Sequence, residues 1–410
     1  MRFEPILCLN WVLPREIIKM GFFTTSKKET SKSLKIGIVC YPSVGGSGIV
    51  ATGLGSELAK RGHEVHFLSY DPPFALDRKL PNIFFHKVDF NGHELFKYPD
   101  YTLPLAVRIV DVCKEFKLDI LHVHYAVPHA TAALLAKDIA DEEKIPFPNI
   151  ITTLHGTDIT LLALDKTVMP VIKYSIESSC GVTAVSESLK KDTIKNLDTK
   201  KHIEVIHNFY TPKKITKSTE EVRKEIGVAS TDFLAIHLSN LRKVKRIPDL
   251  LAILGKVKEN KKIKLFILAG ADFASFQSLV EELGIGDQII IKRNVLDIEN
   301  YINAADIGIY TSETESFGMG ILETMSYGKP VLATDAGGIG EVMKDSETGY
   351  LFGVGKVDDF AQKLLELSHD ETLVKKLGEN AKERARSSFC SEKIVAQYEE
   401  YYRKIIFSCG

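Results

Sequence analysis

The sequence predicts an α/β protein with two doubly wound parallel sheets facing each other across a cleft. Three observations carry this. The chain has 410 residues, more than one ordinary core holds, so two domains are the default. Runs such as LKIGIVCYP, from Leu34, are continuously apolar rather than alternating, as in a strand covered on both faces. Each run ends in a polar or glycine-bearing turn and is followed by a helical stretch. That order gives crossover connections with helices on both faces of a parallel sheet.

The elements follow in order. After LKIGIVCYP come a turn through Gly48 and a helix from Ile49 to about Arg61. EVHFLSY (64–70), LDILHVHY (118–125), NIITTLHG (149–156), GVTAVS (181–186) and IEVIHN (203–208) are the next strands. The polar stretch 211–219 reads as a linker. One domain is therefore expected over 34–210 and a second over 211–389. The alternation restarts with FLAIHLSN (233–240), IKLFILAG (263–270), QIIIKR (288–293), DIGIYTS (306–312), PVLATD (330–335) and GYLF (349–352). The last helical stretches are Val357–Arg386 and Glu392–Lys404, each charged on one face. Residues 1–33 carry six Lys/Arg against three Glu and read as a disordered tail, or as an extension ahead of a start near Met20.

Apolar residues make up 44% and charged residues 26%, an ordinary globular composition. A formal net charge of −1 gives no electrostatic case for nucleic acid. The six cysteines are scattered without a C-x-x-C pair, which suits free thiols in a reducing cytoplasm. No apolar run reaches the roughly 20 residues that span a bilayer.

In doubly wound sheets ligands sit beyond the carboxyl ends of strands. The informative stretches Gly45–Gly48, Tyr125–His129, Thr153–Asp158, Ser239–Arg246 and Glu315–Glu323 all lie there. The turn holding Gly46 and Ser47 opens a helix and can cradle an anion on backbone N–H groups. It can equally be a plain strand–helix turn. Ser239–Arg246 places Arg242, Lys243, Lys245 and Arg246 at a strand's end, a cluster suited to a diphosphate. A solvated helix start is the alternative, but cations there oppose the helix dipole. His155, followed by Gly156 and Asp158, is an active-site candidate or a buried structural histidine. His122, His124 and His129 bring no carboxylate at ligand spacing, so no metal is expected. Glu315 and Glu323 lie eight residues apart, a little over two helical turns. They flank a turn of Ser316, Phe317 and Gly318, and with a helix N-terminus between them they suggest a ligand bearing hydroxyls and phosphate together. The neighbouring cations argue against a glycosidase acid/base pair, because a phosphate leaving group needs no strong general acid.

These residues resemble a known family. The ESFGMGILE string from Glu315 to Glu323, the basic cluster and the GGSG turn are similar to the retaining GT-B glycosyltransferases of family four. CYPSVGGSGIVAT (40–52), HVHYAVPHA (122–130), TTLHGTDIT (152–160), TAVS (183–186), SNLRKVKR (239–246) and SEKIVAQYE (391–399) resemble the branch of that family that makes N-acetylglucosaminyl malate for bacillithiol. The resemblance covers about 34–406. It implies transfer of N-acetylglucosamine from UDP-N-acetylglucosamine to the hydroxyl of L-malate with retention, without metal or cofactor. It implies an acceptor-binding first domain, completed by a C-terminal helix over 390–407, and a nucleotide-sugar-binding second domain. Glu323 would bind ribose. Glu315 and the amides of Ser316, Phe317 and Gly318 would hold the donor sugar. Arg242, with Lys245 or Arg246, would meet the diphosphate. Gly46 would lie on the donor side, His155 at the reaction centre, and Ser47, Tyr125, Thr153, Asn240 and Arg242 around malate. Departures from the wider family are the Arg/Lys spacing, Ala269–Asp272 in place of a Gly-Asp-Gly-Pro-type turn, and Gly340 in place of Pro.

Three rivals stay open: a family-four enzyme with an inositol phosphate, sugar or lipid-linked acceptor, a non-catalytic nucleotide-sugar-binding protein, and an epimerase of the same fold. A lipid acceptor would call for a basic amphipathic patch, which the sequence outside the tail lacks. Whether the chain is a homo-oligomer is not legible.

Overall fold

Two all-parallel sheets organise the chain. The computed structural model describes residues 32–43, 45–74, 76–89 and 101–409, so nearly all of the expected tail lies outside the described residues. The first sheet comprises β1 (Lys35–Val39), β2 (Glu64–Ser69), β3 (Ile83–Lys87), β4 (Ile120–His124), β5 (Asn149–Leu154), β6 (Gly181–Ala184) and β7 (Glu204–Val205). The second comprises β8 (Phe233–Ser239), β9 (Ile263–Ala269), β10 (Ile289–Arg293), β11 (Ile307–Tyr310), β12 (Val331–Thr334) and β13 (Gly349–Phe352). Their orders are β3-β2-β1-β4-β5-β6-β7 and β10-β9-β8-β11-β12-β13. Both reverse direction beside their first strand, between β1 and β4 and between β8 and β11. That is the switch point where a doubly wound sheet opens a crevice.

Strand β3 was not among the expected strands. It is an edge strand paired, among the described residues, only to β2; Phe84 is exposed while His86 is buried, so it lacks the continuous apolar run of a central strand. The expected helical stretch 357–386 is two helices, Val357–Leu367 and Glu371–Ser388. The break has a local cause: the Asp370 carboxylate accepts the Leu373 N–H at 2.9 Å, capping the second helix.

The stretch 211–219 is tied to the second half. Lys213 N–H donates to the Tyr327 hydroxyl at 2.9 Å, and Thr216 N–H to Asn300 Oδ1 at 2.9 Å. The C-terminal helix Ser391–Cys409 crosses back to the first sheet. Its Ile394, Val395, Tyr398 and Tyr402 share one core with Ile36, Ile38, Leu54, Phe67 and Ile151. Arg61 and His63 hold its outer side through Glu399 at 2.6 and 2.8 Å. A second core runs through both halves, joining Leu154, Val182 and Ala184 to Phe317, Ile321 and Ile339. The Glu341 carboxylate of the second half accepts the Glu187 and Ser188 amides of the first, both at 2.9 Å.

Candidate active site

The loops that follow β1, β4, β5, β8 and β11 converge. After β1, the helix Gly46–Lys60 begins with no side-chain cap on Gly45. A Cβ on Gly48 would stand 2.4 Å from the Ser43 carbonyl oxygen, whereas one on Gly46 would meet nothing within 4 Å. The turn is therefore tight on its inner side and open at Gly46, and the first amides of the helix are left for a ligand.

After β4, Tyr125 takes φ +90, and its N–H donates to the Thr153 carbonyl at 3.0 Å. Burial pushes its phenol upward; Ser47 and Thr157 are hydrogen-bonding neighbours of that hydroxyl, and Arg242 is a cation within its electrostatic reach. Arg242 of the second half thus lies within electrostatic reach of Tyr125 of the first. Asn240 is tied to the same loop, its Oδ1 accepting the Arg242 N–H at 3.4 Å.

Thr153, expected around malate, has its hydroxyl engaged within the protein. It is fully buried, with Oγ1 2.6 Å from His122 Nε2 and 2.6 Å from Thr183 Oγ1. A β-strand residue alternates faces, and this one faces the interior; it supports Tyr125 through its carbonyl. His155, two residues on, is partly exposed. Burial, with His129 nearby, lowers its imidazole to about 3, so the ring is neutral at physiological pH. Gly156 takes φ +119, and a Cβ there would stand 1.7 Å from Ser316 Oγ. The two halves touch at this glycine. Asp158 is fully buried; burial raises its carboxyl to about 6 although it accepts amides of Ala126 and Gly156 at 3.2 and 3.1 Å. Its oxygens are spent on lacing the His155 and Tyr125 loops together.

After β8, the cations divide. Arg242 is exposed and forms no ion pair among the described residues. Lys245 pairs with Glu315. Arg246 is turned away: its fork holds Asp249 at 2.7 and 3.1 Å. Of the two cations expected as alternatives, Lys245 is therefore the one beside Glu315. The sequence could not separate them, because the Arg246–Asp249 pair depends on Arg246 taking φ +48.

After β11, the helix Met319–Ser326 starts behind Gly318 at φ +100, again without a side-chain cap. Phe317 is 2% exposed, its ring centroid 5.6 Å from Phe389, so only its backbone can meet a ligand. Glu323 is buried, and burial raises its carboxyl to about 7, with Lys213 opposing the shift. Both Glu315 and Glu323 bear electrostatically on Tyr310. Among the described residues no group of three or more His, Cys, Asp or Glu is arranged to hold a metal ion. No described helix is long and apolar enough to cross a membrane.

The family model "Glycosyltransferase Family 4" matches residues 44–214, and "Glycosyl transferases group 1" matches 218–384. The N-acetyl-alpha-D-glucosaminyl L-malate synthase of Bacillus anthracis is 42% identical over 375 residues, 91% of this chain and 97% of that protein. The chain belongs to the family-four glycosyltransferases. An uncharacterized glycosyltransferase of Methanocaldococcus jannaschii is 27% identical to this glycosyltransferase over 90% of the chain and 97% of the relative. Among solved structures, HepE of Anabaena in complex with UDP and glucose superposes with a TM-score of 0.76 at 20% identity, covering 90% of this chain and all of that one. A Rickettsia africae glycosyltransferase does so at 0.76 and 23%, covering 92% and 99%. This glycosyltransferase has the GT-B fold.

Proposed function

We propose that this glycosyltransferase moves N-acetylglucosamine from UDP-N-acetylglucosamine to the hydroxyl of L-malate with retention, opening a bacillithiol-type pathway in the cytoplasm. The observation that carries the choice of acceptor is the 42% identity over 91% of the chain to an enzyme of that name. Ser47 beside the Tyr125 hydroxyl, with Arg242 in electrostatic reach of it and Asn240 bonded to Arg242, supports it, because hydroxyls, an amide and a guanidinium suit a small dicarboxylate. In this reading residues 34–210 and the C-terminal helix bind acceptor, and 211–389 bind donor.

The donor lies over the helix that starts behind Gly318. Glu323 accepts the ribose hydroxyls, and Glu315 with the amides of Ser316 to Gly318 holds the sugar. The uncapped start of the Gly46 helix, Arg242 and Lys245 meet the diphosphate, and Arg246 supports the loop through Asp249. As the bond from C1 to the β-phosphate oxygen breaks, the malate hydroxyl oxygen bonds C1 from the same face. Its proton passes to the departing phosphate oxygen. Negative charge grows on the diphosphate, where Arg242 and Lys245 stabilise it without a metal.

UDP release should be followed with and without L-malate, with and without EDTA, against inositol phosphate as a second acceptor. Malate-dependent, EDTA-resistant release is expected. Release indifferent to malate, or greater with inositol phosphate, overturns the acceptor; loss with EDTA overturns the metal-free route.

A further inference from the structure

The roles above leave a buried imidazole unused. His124 ends β4 and is fully buried. Its Nδ1 lies 2.8 Å from Nε2 of His155, with the ring planes only 21° apart. On its other sides are the His122 ring, with centroids 4.5 Å apart, and His129, whose Nδ1–H donates to the His124 carbonyl. The remaining nitrogen, His124 Nε2, is buried and meets no partner among the described residues.

Proton bookkeeping follows from this network. Burial keeps both rings neutral, so each carries one proton. Only one proton can sit between His124 Nδ1 and His155 Nε2. If His155 donated it, His124 would carry its own proton on Nε2, a buried N–H with nothing to receive it. If His124 donates, the unpaired atom is a bare lone pair. Orphaned buried N–H groups are the rarer and costlier case. His124 is then the donor, and His155 must hold its proton on Nδ1.

We propose that His124 is a positioning residue that fixes His155 in the Nδ1–H tautomer, so that this ring presents an N–H to a hydroxyl oxygen of the donor sugar. The proposal rests on the reading that His155 faces that sugar. An imidazole left to itself favours the proton on Nε2, and His124 reverses this preference. A His155 held the other way round would offer a lone pair where a donor is needed, and sugar hydroxyl and ring would lose their geometry in the transition state.

The test uses the full-length protein labelled with 15N, the His155 ring signals being assigned by their loss in His155→Ala. Wild type should show His155 protonated on Nδ1. In His124→Leu the proton should move to Nε2, and kcat with UDP-N-acetylglucosamine and malate should fall about tenfold or more with little change in KM. His124→Asn can place an amide N–H where Nδ1–H stood, and should restore both the tautomer and most of kcat. Wild-type His155 protonated on Nε2 overturns the proposal even if neither His124 variant folds. A slow His124→Leu with an unchanged tautomer overturns it too, leaving only a structural role. A normal kcat/KM in His155→Ala instead refutes the placement of His155 at the sugar, while the tautomer result stands by itself.

Discussion

At the scale of single residues, charge decides most outcomes. Arg242 has no ion pair among the described residues and stands at the junction of the halves, so Arg242→Ala should lower kcat/KM by about 10²-fold or more, measured by UDP release. Arg246→Ala should leave kcat/KM within about threefold and act on thermal stability, because its fork is already spent on Asp249. Glu323 gives a pH prediction. Burial raises its carboxyl from 4.5 to about 7, so between those values the folded protein holds a proton that the unfolded chain has released. Its contribution to stability is full below pH 4.5 and falls as pH rises to about 7, by on the order of 3 kcal/mol. Glu323→Gln removes that loss. It should melt like wild type near pH 4 and above wild type at pH 8, while binding UDP-sugar more weakly. Melting curves that run parallel across this range would contradict the shift. These details were only partly legible in the sequence. Glu315, Glu323 and Arg242 stood out by spacing and position. The burial of Thr153 did not, since its face depends on where β5 begins, and neither did the choice between Lys245 and Arg246.

At the scale of elements, turns and caps control the geometry. Gly156 joins a left-handed backbone to a close approach between the halves, at Ser316. Gly156→Ala should lower the melting temperature and cut activity, through strain of about 1–3 kcal/mol plus the clash with Ser316. Adding Ser316→Gly should recover the steric part alone; full recovery would mean that φ +119 carries no cost. The thirteen strands of the described residues show what pattern can and cannot reveal. Central strands such as β1 and β9 announce themselves by unbroken apolar runs. Edge strand β3 does not, because only His86 of its five residues is buried and no unbroken apolar run spans it.

At the scale of the whole molecule, the two sheets are joined where they share a core. The same core joins Leu154 and Val182 to Phe317 and Ile339, and Glu341 caps a helix of the opposite half. Tyr402→Phe tests the reach of the C-terminal helix. It strips His122 Nδ1 of its 2.7 Å partner under the acceptor side, and should cost about 1–3 kcal/mol in denaturant unfolding. An unchanged midpoint would show that the helix is held by packing alone. The doubly wound topology was legible from alternation alone, whereas this long-range closure depended on tertiary packing that no local pattern encodes.

The return of the helix Ser391–Cys409 to the first sheet has a consequence for synthesis. On the ribosome the strands of the first half are made first, yet Tyr398 and Tyr402, which fill its core, are made only after every strand of the second half. The second half is continuous in sequence and can fold while translation continues. The half that begins the chain is thus the last to be finished. Until residues 391–405 emerge it presents an unfilled apolar groove of its own making, and a nascent chain in that condition is the form in which chaperones should find this protein.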